Sequence, residues 1–189
     1  MIRNAIKQSI EVKQKLLDDE ALLDTIQKSA DAITGTFQHD GKVLFCGNGG
    51  SAADAQHLAA EFSGRFYYDR PPLFAEALHV NTSYITAVAN DYSYDEIYAR
   101  LVQAKGRKGD VLIALSTSGN SPNIVKALMQ ARQQKMITIS LTGAGGGKTK
   151  EFSDFLLAIP SSDTPRIQEA HILIGHIICE MVEKAIFPK

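Results

Sequence analysis

Apolar residues divide the chain into two regimes. Over the first forty residues they recur at helical steps. Ile2, Ile6 and Ile10 stand four apart, Leu17 lies one heptad beyond Ile10, and Leu22, Ile26, Ala30 and Ile33 continue at three- and four-residue intervals. That stripe is too narrow to make a core alone, so these helices are expected to pack on a neighbour, a second subunit included. Beyond residue 40, short apolar runs take over. Residues 42–46, 75–80, 110–115, 136–141 and 155–159 read as strands buried on both faces of a parallel sheet. Helical patterns lie between them at 52–62, 85–89, 94–104 and 122–134, and a long final helix runs from near Pro165 to about Ile186. The alternation predicts an α/β fold, a three-layer α/β/α sandwich with a five-stranded parallel sheet and right-handed crossovers. Residues 1–189 are expected to form one domain, with 1–40 as a helical oligomerisation segment ahead of an α/β core over 41–189. The Gly-rich piece Gly143–Gly147 reads as a surface loop.

Composition narrows the function. With 189 residues, 44% of them hydrophobic, the chain can bury one substantial core. A formal net charge of -1 gives no general attraction to nucleic acid or anionic membrane, so an anionic ligand has to be caught locally. The two cysteines, Cys46 and Cys179, each sit inside an apolar run and read as buried thiols of a reducing compartment. The N-terminal segment is charged throughout, without an apolar h-region, and no stretch approaches a membrane span. A soluble, cytoplasmic protein that binds neither membrane nor nucleic acid is expected.

Two strand-to-helix turns carry unusual residues. In open α/β sheets ligands sit at the C-terminal ends of strands, where helix N-termini point inward. Gly47-Asn48-Gly49-Gly50-Ser51 follows the first strand. A tight turn needs one glycine, hardly three, and glycines let backbone N–H groups approach a ligand. Ser51 is expected to cap the next helix, with Asp54 three residues on. The second turn, Leu115 to Pro122, holds Ser116, Thr117, Ser118 and Ser121. Ser121 suits an N-cap and Pro122 an N1 position. Hydroxyls, free N–H groups and a helix dipole make an anion site, and without a GxxxxGK[ST] pattern a nucleoside triphosphate is disfavoured. A phosphate cradle is the expected role.

Two helices supply a titratable constellation. His57 and Glu61, at i and i+4, share a helix face among Leu58, Ala59, Ala60 and Phe62. H-x-x-x-E alone is weak, since such pairs are often structural hydrogen bonds. On the final helix Gln168 and His176 lie about 80° apart around the axis, with His171 and Gly175 on or near the same stripe. The rest of that helix is apolar, so His176 is either a satisfied core histidine or a functional one.

Taken in order, CGNGGSAADAQHLAAEFSGRF, the triplet Ala89-Asn90-Asp91, LSTSGNSPN, SLTG and RIQEAHILIGH resemble the SIS (sugar isomerase) family, and within it the phosphoheptose isomerases. The matching pieces run from about residue 46 to residue 176. The resemblance implies an SIS fold and a homotetramer with active sites at subunit junctions. It implies a phosphate cradle at Ser116, Thr117, Ser118 and Ser121, and sugar contacts from Asn48, Gly49, Gly50, Asn90 and Asp91, with Glu61 and Gln168 also against the substrate. It gives His57, Glu61, Gln168 and His176 as ligands of one Zn²⁺ per subunit, and Glu61 and His176 as catalytic base and acid. The implied reaction is aldose–ketose exchange between sedoheptulose 7-phosphate and D-glycero-D-manno-heptose 7-phosphate through an enediol, feeding heptose synthesis for lipopolysaccharide core. A cation on a carboxylate lowers its basicity, so base and ligand roles of Glu61 compete, and both stay open here.

A related tetrameric protein that binds the replication initiator DnaA shares the GN-G-SA-AQH pattern, an STxGNS loop, RIQE and a C-terminal Phe-Pro. It lacks an acid at the position of Glu61 and a histidine at that of His176, and both are kept here, which favours the enzyme. An SIS isomerase of another sugar phosphate is the other alternative. Some of the enzymes carry an acid where this chain has Pro165, and no role of that acid transfers.

Overall fold

The computed structural model describes all residues, Met1–Lys189. Five strands, β1 (Val43–Gly47), β2 (Ala75–Ala77), β3 (Val111–Ser116), β4 (Ile137–Thr142) and β5 (Phe155–Ala158), form one fully parallel sheet in the order β2-β1-β3-β4-β5. Seven α-helices surround it: α1 (Ile2–Leu17), α2 (Glu20–Gln38), α3 (Gly50–Ser63), α4 (Thr82–Asp91), α5 (Ile97–Lys105), α6 (Pro122–Gln133) and α7 (Thr164–Ile186). Short 3₁₀ turns cover Tyr94–Glu96 and Gly147–Phe152. No helix is long and apolar enough to cross a membrane.

The predicted sandwich is present, and strand alternation sorts its two apolar layers. Val43, Phe45, Val111, Ile113, Leu115, Ile139 and Leu141 face α1, α2, α3 and α7. Leu44, Cys46, Leu112 and Ala114 face α4, α5 and α6. Both sides of β1 and β3 are therefore dry, and their sequences read as unbroken apolar runs for that reason. β2 is shorter than predicted: it pairs over three residues at the sheet edge, and the chain leaves it before His79 and Val80.

The N-terminal stripe splits. α2 packs on α7 and β5, burying Leu22, Ile26, Ala30 and Ile33. α1 buries Val12 and Leu16, whereas Ile2, Ile6, Ile10 and Leu17 face outward. Cys46 and Cys179 are buried free thiols.

The strand order reverses between β1 and β3. Chain leaving β1 moves toward β2, and chain leaving β3 moves toward β4. Such a switch point opens a crevice at the carboxyl ends of the two strands. Both glycine- and serine-rich turns begin there.

Candidate active site

The turn after β1 is shaped around its own helix and around α7. Gly49 has φ +56°, which only glycine adopts without strain, and it serves as the N-cap of α3. The expected Ser51 cap is not formed. Helix α3 starts two residues earlier, at Gly50, so Ser51 falls inside its first turn and is buried. At Gly50 a Cβ would lie 2.6 Å from Nε2 of Gln168. The missing side chain lets the Gln168 amide rest against the α3 N-terminus.

The turn after β3 closes on itself. Ser116 and Ser121 hydroxyls are 3.3 Å apart, and the backbone N–H of Asn120 donates to Ser118 Oγ at 3.1 Å. Ser121 occupies the N-cap of α6 and Pro122 its first turn, but the Ser121 hydroxyl does not cap the helix; it is turned to Ser116. The Gly143–Gly147 segment is more than a surface loop. Gly143 N–H donates to the Thr117 carbonyl, and Thr149 N–H to that of Gly119. A Cβ on Gly119 would stand 2.1 Å from the Gly146 carbonyl oxygen. Two side-chain-free backbones pack face to face here and hold the hydroxyl-bearing loop in place.

Between these turns lies a cleft of about 220 Å³, lined by Asn48, Ser51, Leu115, Ser116, Thr117, Ser121, Thr164 and Gln168. Ser51, Ser121 and Thr164 belong to the N-terminal turns of α3, α6 and α7. Three helix N-termini thus converge on one hollow, each bringing roughly half a positive charge. No lysine or arginine lines it. Thr164, expected only as a helix start, is part of this wall. Ser118 faces a neighbouring hollow of about 230 Å³ with Thr117, Ala144 and Ser161. Asn90 and Asp91 stand at the end of α4, exposed and bonded to each other at 2.9 Å, outside the cleft wall.

A second group lies where α3 crosses α7. His57 Nε2 donates to Glu61 Oε1 at 2.9 Å, and the His57 and His176 rings meet edge to face, with centroids 5.0 Å apart. Candidate ligand atoms of His57, Glu61 and His176 lie within 4.8 Å of one another. Gly175 permits this approach, because a Cβ there would strike Leu58 of α3 at 2.5 Å. Gln168 sits two turns away along α7, with its amide at Gly50, on the cleft side of this group.

The two histidines of α7 differ. His171 is fully buried and donates from Nε2 to the Thr142 carbonyl; burial depresses it to a pKa of about 4, so it is neutral. His176 Nε2 is buried with no hydrogen-bond partner in the chain. Such a nitrogen needs something to bind. Orphan ring nitrogens also occur at His79 and His171, but only His176 has a carboxylate and a second imidazole alongside. Two imidazoles and a carboxylate that close suit a divalent cation.

Asp54, one turn before His57, adjoins the group. Burial raises its carboxyl above the usual range, against the opposing pull of His57 and His176, and its Oδ2 is unpartnered. The sequence suggested only a capping role for it.

A buried ion pair supports the far end of α3. Arg70 and Glu183 have side chains 2% exposed, and Arg70 Nε donates to Glu183 Oε1 at 3.1 Å. Arg70 also donates to the carbonyls of Glu61, Phe62 and Gly64. Glu183 accepts the N–H groups of Phe66 and Tyr67, and the Phe66 ring packs on His176 at 5.6 Å. Neither residue stood out in the sequence, because nothing local reveals a pairing across 113 residues.

Comparison with known proteins bears on this geometry. The SIS domain profile matches residues 6–143. A phosphoheptose isomerase from Aneurinibacillus thermoaerophilus is 51% identical, covering 98% of this chain and 94% of that protein. The one from Burkholderia pseudomallei strain 1710b is 52% identical, over 100% and 95%. The chain belongs to the phosphoheptose isomerase family of SIS-domain proteins. Solved structures agree. The phosphoheptose isomerase from Neisseria gonorrhoeae superposes with a TM-score of 0.91 at 41% identity, covering 97% of each chain. That from Francisella tularensis gives 0.92 at 37%, covering 97% of this chain and 96% of that one. Phosphoheptose isomerases are aldose–ketose isomerases of a sugar phosphate. Such a reaction requires an anion hollow and an acid–base group side by side, and the two groups described above lie along the same pair of helices.

Proposed function

We propose that the chain interconverts sedoheptulose 7-phosphate and D-glycero-D-manno-heptose 7-phosphate in the cytoplasm, supplying heptose for lipopolysaccharide core. The observation that carries this reading is that helices α3 and α7 carry both a hollow walled by three helix N-termini and the His57–Glu61–His176 group. The substrate phosphate sits among Ser116, Thr117, Ser121 and the helix N-termini, with Ser118 holding the loop. Its binding energy positions C1 and C2 several carbons away. Asn48, the Gly49–Gly50 backbone and Gln168 contact the sugar. Asn90 and Asp91 are assigned to the sugar as well, on the strength of the family motif.

Isomerisation moves a proton between C1 and C2, and an adjacent oxygen must gain or lose one as the enediol forms and collapses. Glu61 carries the carbon-bound proton. His176 exchanges protons with the oxygens. His57 holds the Glu61 carboxylate in place. His57, Glu61, His176 and Gln168 would hold Zn²⁺, which when bound would supply Lewis acidity toward the substrate oxygens. Conversion of sedoheptulose 7-phosphate, with and without chelator, tests the whole reading. Turnover is expected, with about one zinc per chain, loss of activity on stripping and recovery on adding Zn²⁺. Full turnover by zinc-free protein would remove the metal; no turnover of this sugar by zinc-loaded protein would remove the substrate.

The cradle has its own test. Ser118→Ala with Ser121→Ala is expected to raise KM for the sugar phosphate about tenfold, from hydrogen bonds lost to a charged ligand and from a loosened loop. An unchanged KM rejects the assignment.

The assembly is read as a homotetramer with active sites at subunit junctions, in which residues 1–40 contribute to oligomerisation of a single SIS domain. Ile2, Ile6 and Ile10 of α1 support this, as do Leu173 and Ile177 of α7, which are large apolar residues left at the surface of the isolated chain.

A further inference from the structure

The two ligand turns are joined by a reciprocal pair of amides. Asn48 Nδ2 donates to Asn123 Oδ1 at 2.9 Å, and Asn123 Nδ2 donates to Asn48 Oδ1 at 2.9 Å. Asn123 lies in the first turn of α6 and is 2% exposed. Its orientation is fixed from outside the pair. The backbone N–H of Ile124, which can only donate, bonds to Asn123 Oδ1 at 3.0 Å. The NH₂ end of Asn123 therefore faces Asn48, and it can only meet an oxygen there. Tyr94 adds a second donor, its hydroxyl reaching Asn48 Oδ1 at 3.1 Å.

An asparagine side chain offers two donor hydrogens and two acceptor lone pairs. Asn123 and Tyr94 occupy both lone pairs of Asn48 and one of its hydrogens. A single N–H is left, on a side chain that lines the cleft. We infer that Asn123 and Tyr94 are positioning residues that hold Asn48 as an obligate hydrogen-bond donor, so that it recognises a lone pair on a sugar hydroxyl or carbonyl oxygen and never a hydroxyl proton. The pair also sets the spacing between the β1 and β3 turns, one on the sugar side of the crevice and one on the phosphate side. This inference rests on the reading of Asn48 as a substrate contact.

A double-mutant cycle tests it, with kcat/KM for sedoheptulose 7-phosphate and thermal midpoint measured for each protein. Asn123→Ala adds no charge beside the cradle. It is expected to lower kcat/KM about tenfold, roughly what one positioned hydrogen bond contributes. In an Asn48→Ala background the same substitution should change kcat/KM less than twofold, because Asn123 acts through Asn48. A tenfold loss that persists in that background shows a general structural role and overturns the inference, as does native kcat/KM in Asn123→Ala alone. Tyr94→Phe guards against misfolding. Tyr94 sits on a short 3₁₀ turn and is half-exposed, so its hydroxyl can be removed without opening the core. A two- to fivefold loss that vanishes in the Asn48→Ala background is expected, and an undiminished loss there counts against the proposal. Native kcat/KM in Asn48→Ala itself removes Asn48 from the substrate contacts, a failure of the underlying reading that the cycle reports separately.

Discussion

Glu61→Gln is expected to lower kcat by about 10²–10⁴, the usual contribution of a positioned general base. Glutamine matches glutamate in shape. Its carbonyl oxygen can still accept the 2.9 Å hydrogen bond from His57 Nε2, so α3 and its packing on α7 should be undisturbed. What disappears is the ability to take a proton from carbon. KM should move little, since the phosphate and the distal hydroxyls are held elsewhere. Two companion measurements separate causes. Metal content shows whether the variant has lost a ligand. Exchange of the C1 proton with deuterated solvent shows whether abstraction itself has stopped. Turnover within a few-fold of the parent protein would strike Glu61 from the mechanism.

Arg70→Met is expected to destabilise the protein by about 3–5 kcal/mol, because it strands the Glu183 carboxylate in the interior. At roughly 2–4 °C per kcal/mol for a chain of this size, the thermal midpoint should fall by about 6–20 °C. The cost comes from more than one bond. Arg70 serves three carbonyls at the end of α3 besides Glu183. The pair also predicts a direction with pH. Burial alone would raise the Glu183 carboxyl. The amides of Tyr67 and Phe66 and the Arg70 guanidinium outweigh it and hold the group below the usual carboxylate range. A carboxyl depressed in the folded state stabilises fully above its unfolded value, near 4.3, and that stabilisation is lost as pH falls through the folded value. The midpoint gap between parent and Arg70→Met should therefore narrow on acidification below about pH 4. A gap independent of pH down to that range would show that lost packing, not the ion pair, carries the effect.

The sequence made the sheet legible because β1 and β3 are buried on both sides and can only be written in apolar residues. Length was less visible at β2, whose last predicted residues leave the sheet although they are apolar. Helix α1 shows the limit of periodicity. Ile2, Ile6 and Ile10 form the more regular stripe, yet Val12 and Leu16 are the residues that reach the core, since a pattern identifies a face but not its partner. At the site, motif composition led to His57, Glu61, His176 and the hydroxyl loop. Their supports are not legible in the chain, for a physical reason. Asn123 meets Asn48 across 75 residues, and Arg70 meets Glu183 across 113. Such bonds are set by how the layers close, and nothing beside either residue in the chain announces them. The Gly143–Gly147 segment is a surface loop, exposed at Ala144 and Gly145, whose packing partner is likewise distant in the chain. Loss of side chains usually marks slack in a surface connection, whereas here it is demanded by the Gly119 backbone lying against it.

None of the eight residues around the 220 Å³ cleft ionises near neutrality. A phosphoryl group held there meets hydroxyls, amides and oriented peptide dipoles, none of which has a proton to gain or shed across the physiological range. Titration of the grip then belongs to the ligand, whose second ionisation falls near pH 6. An enzyme built this way leaves the pH dependence of its hold to the cargo, and keeps anchoring apart from the carboxylate and imidazoles that stand further along the same helices.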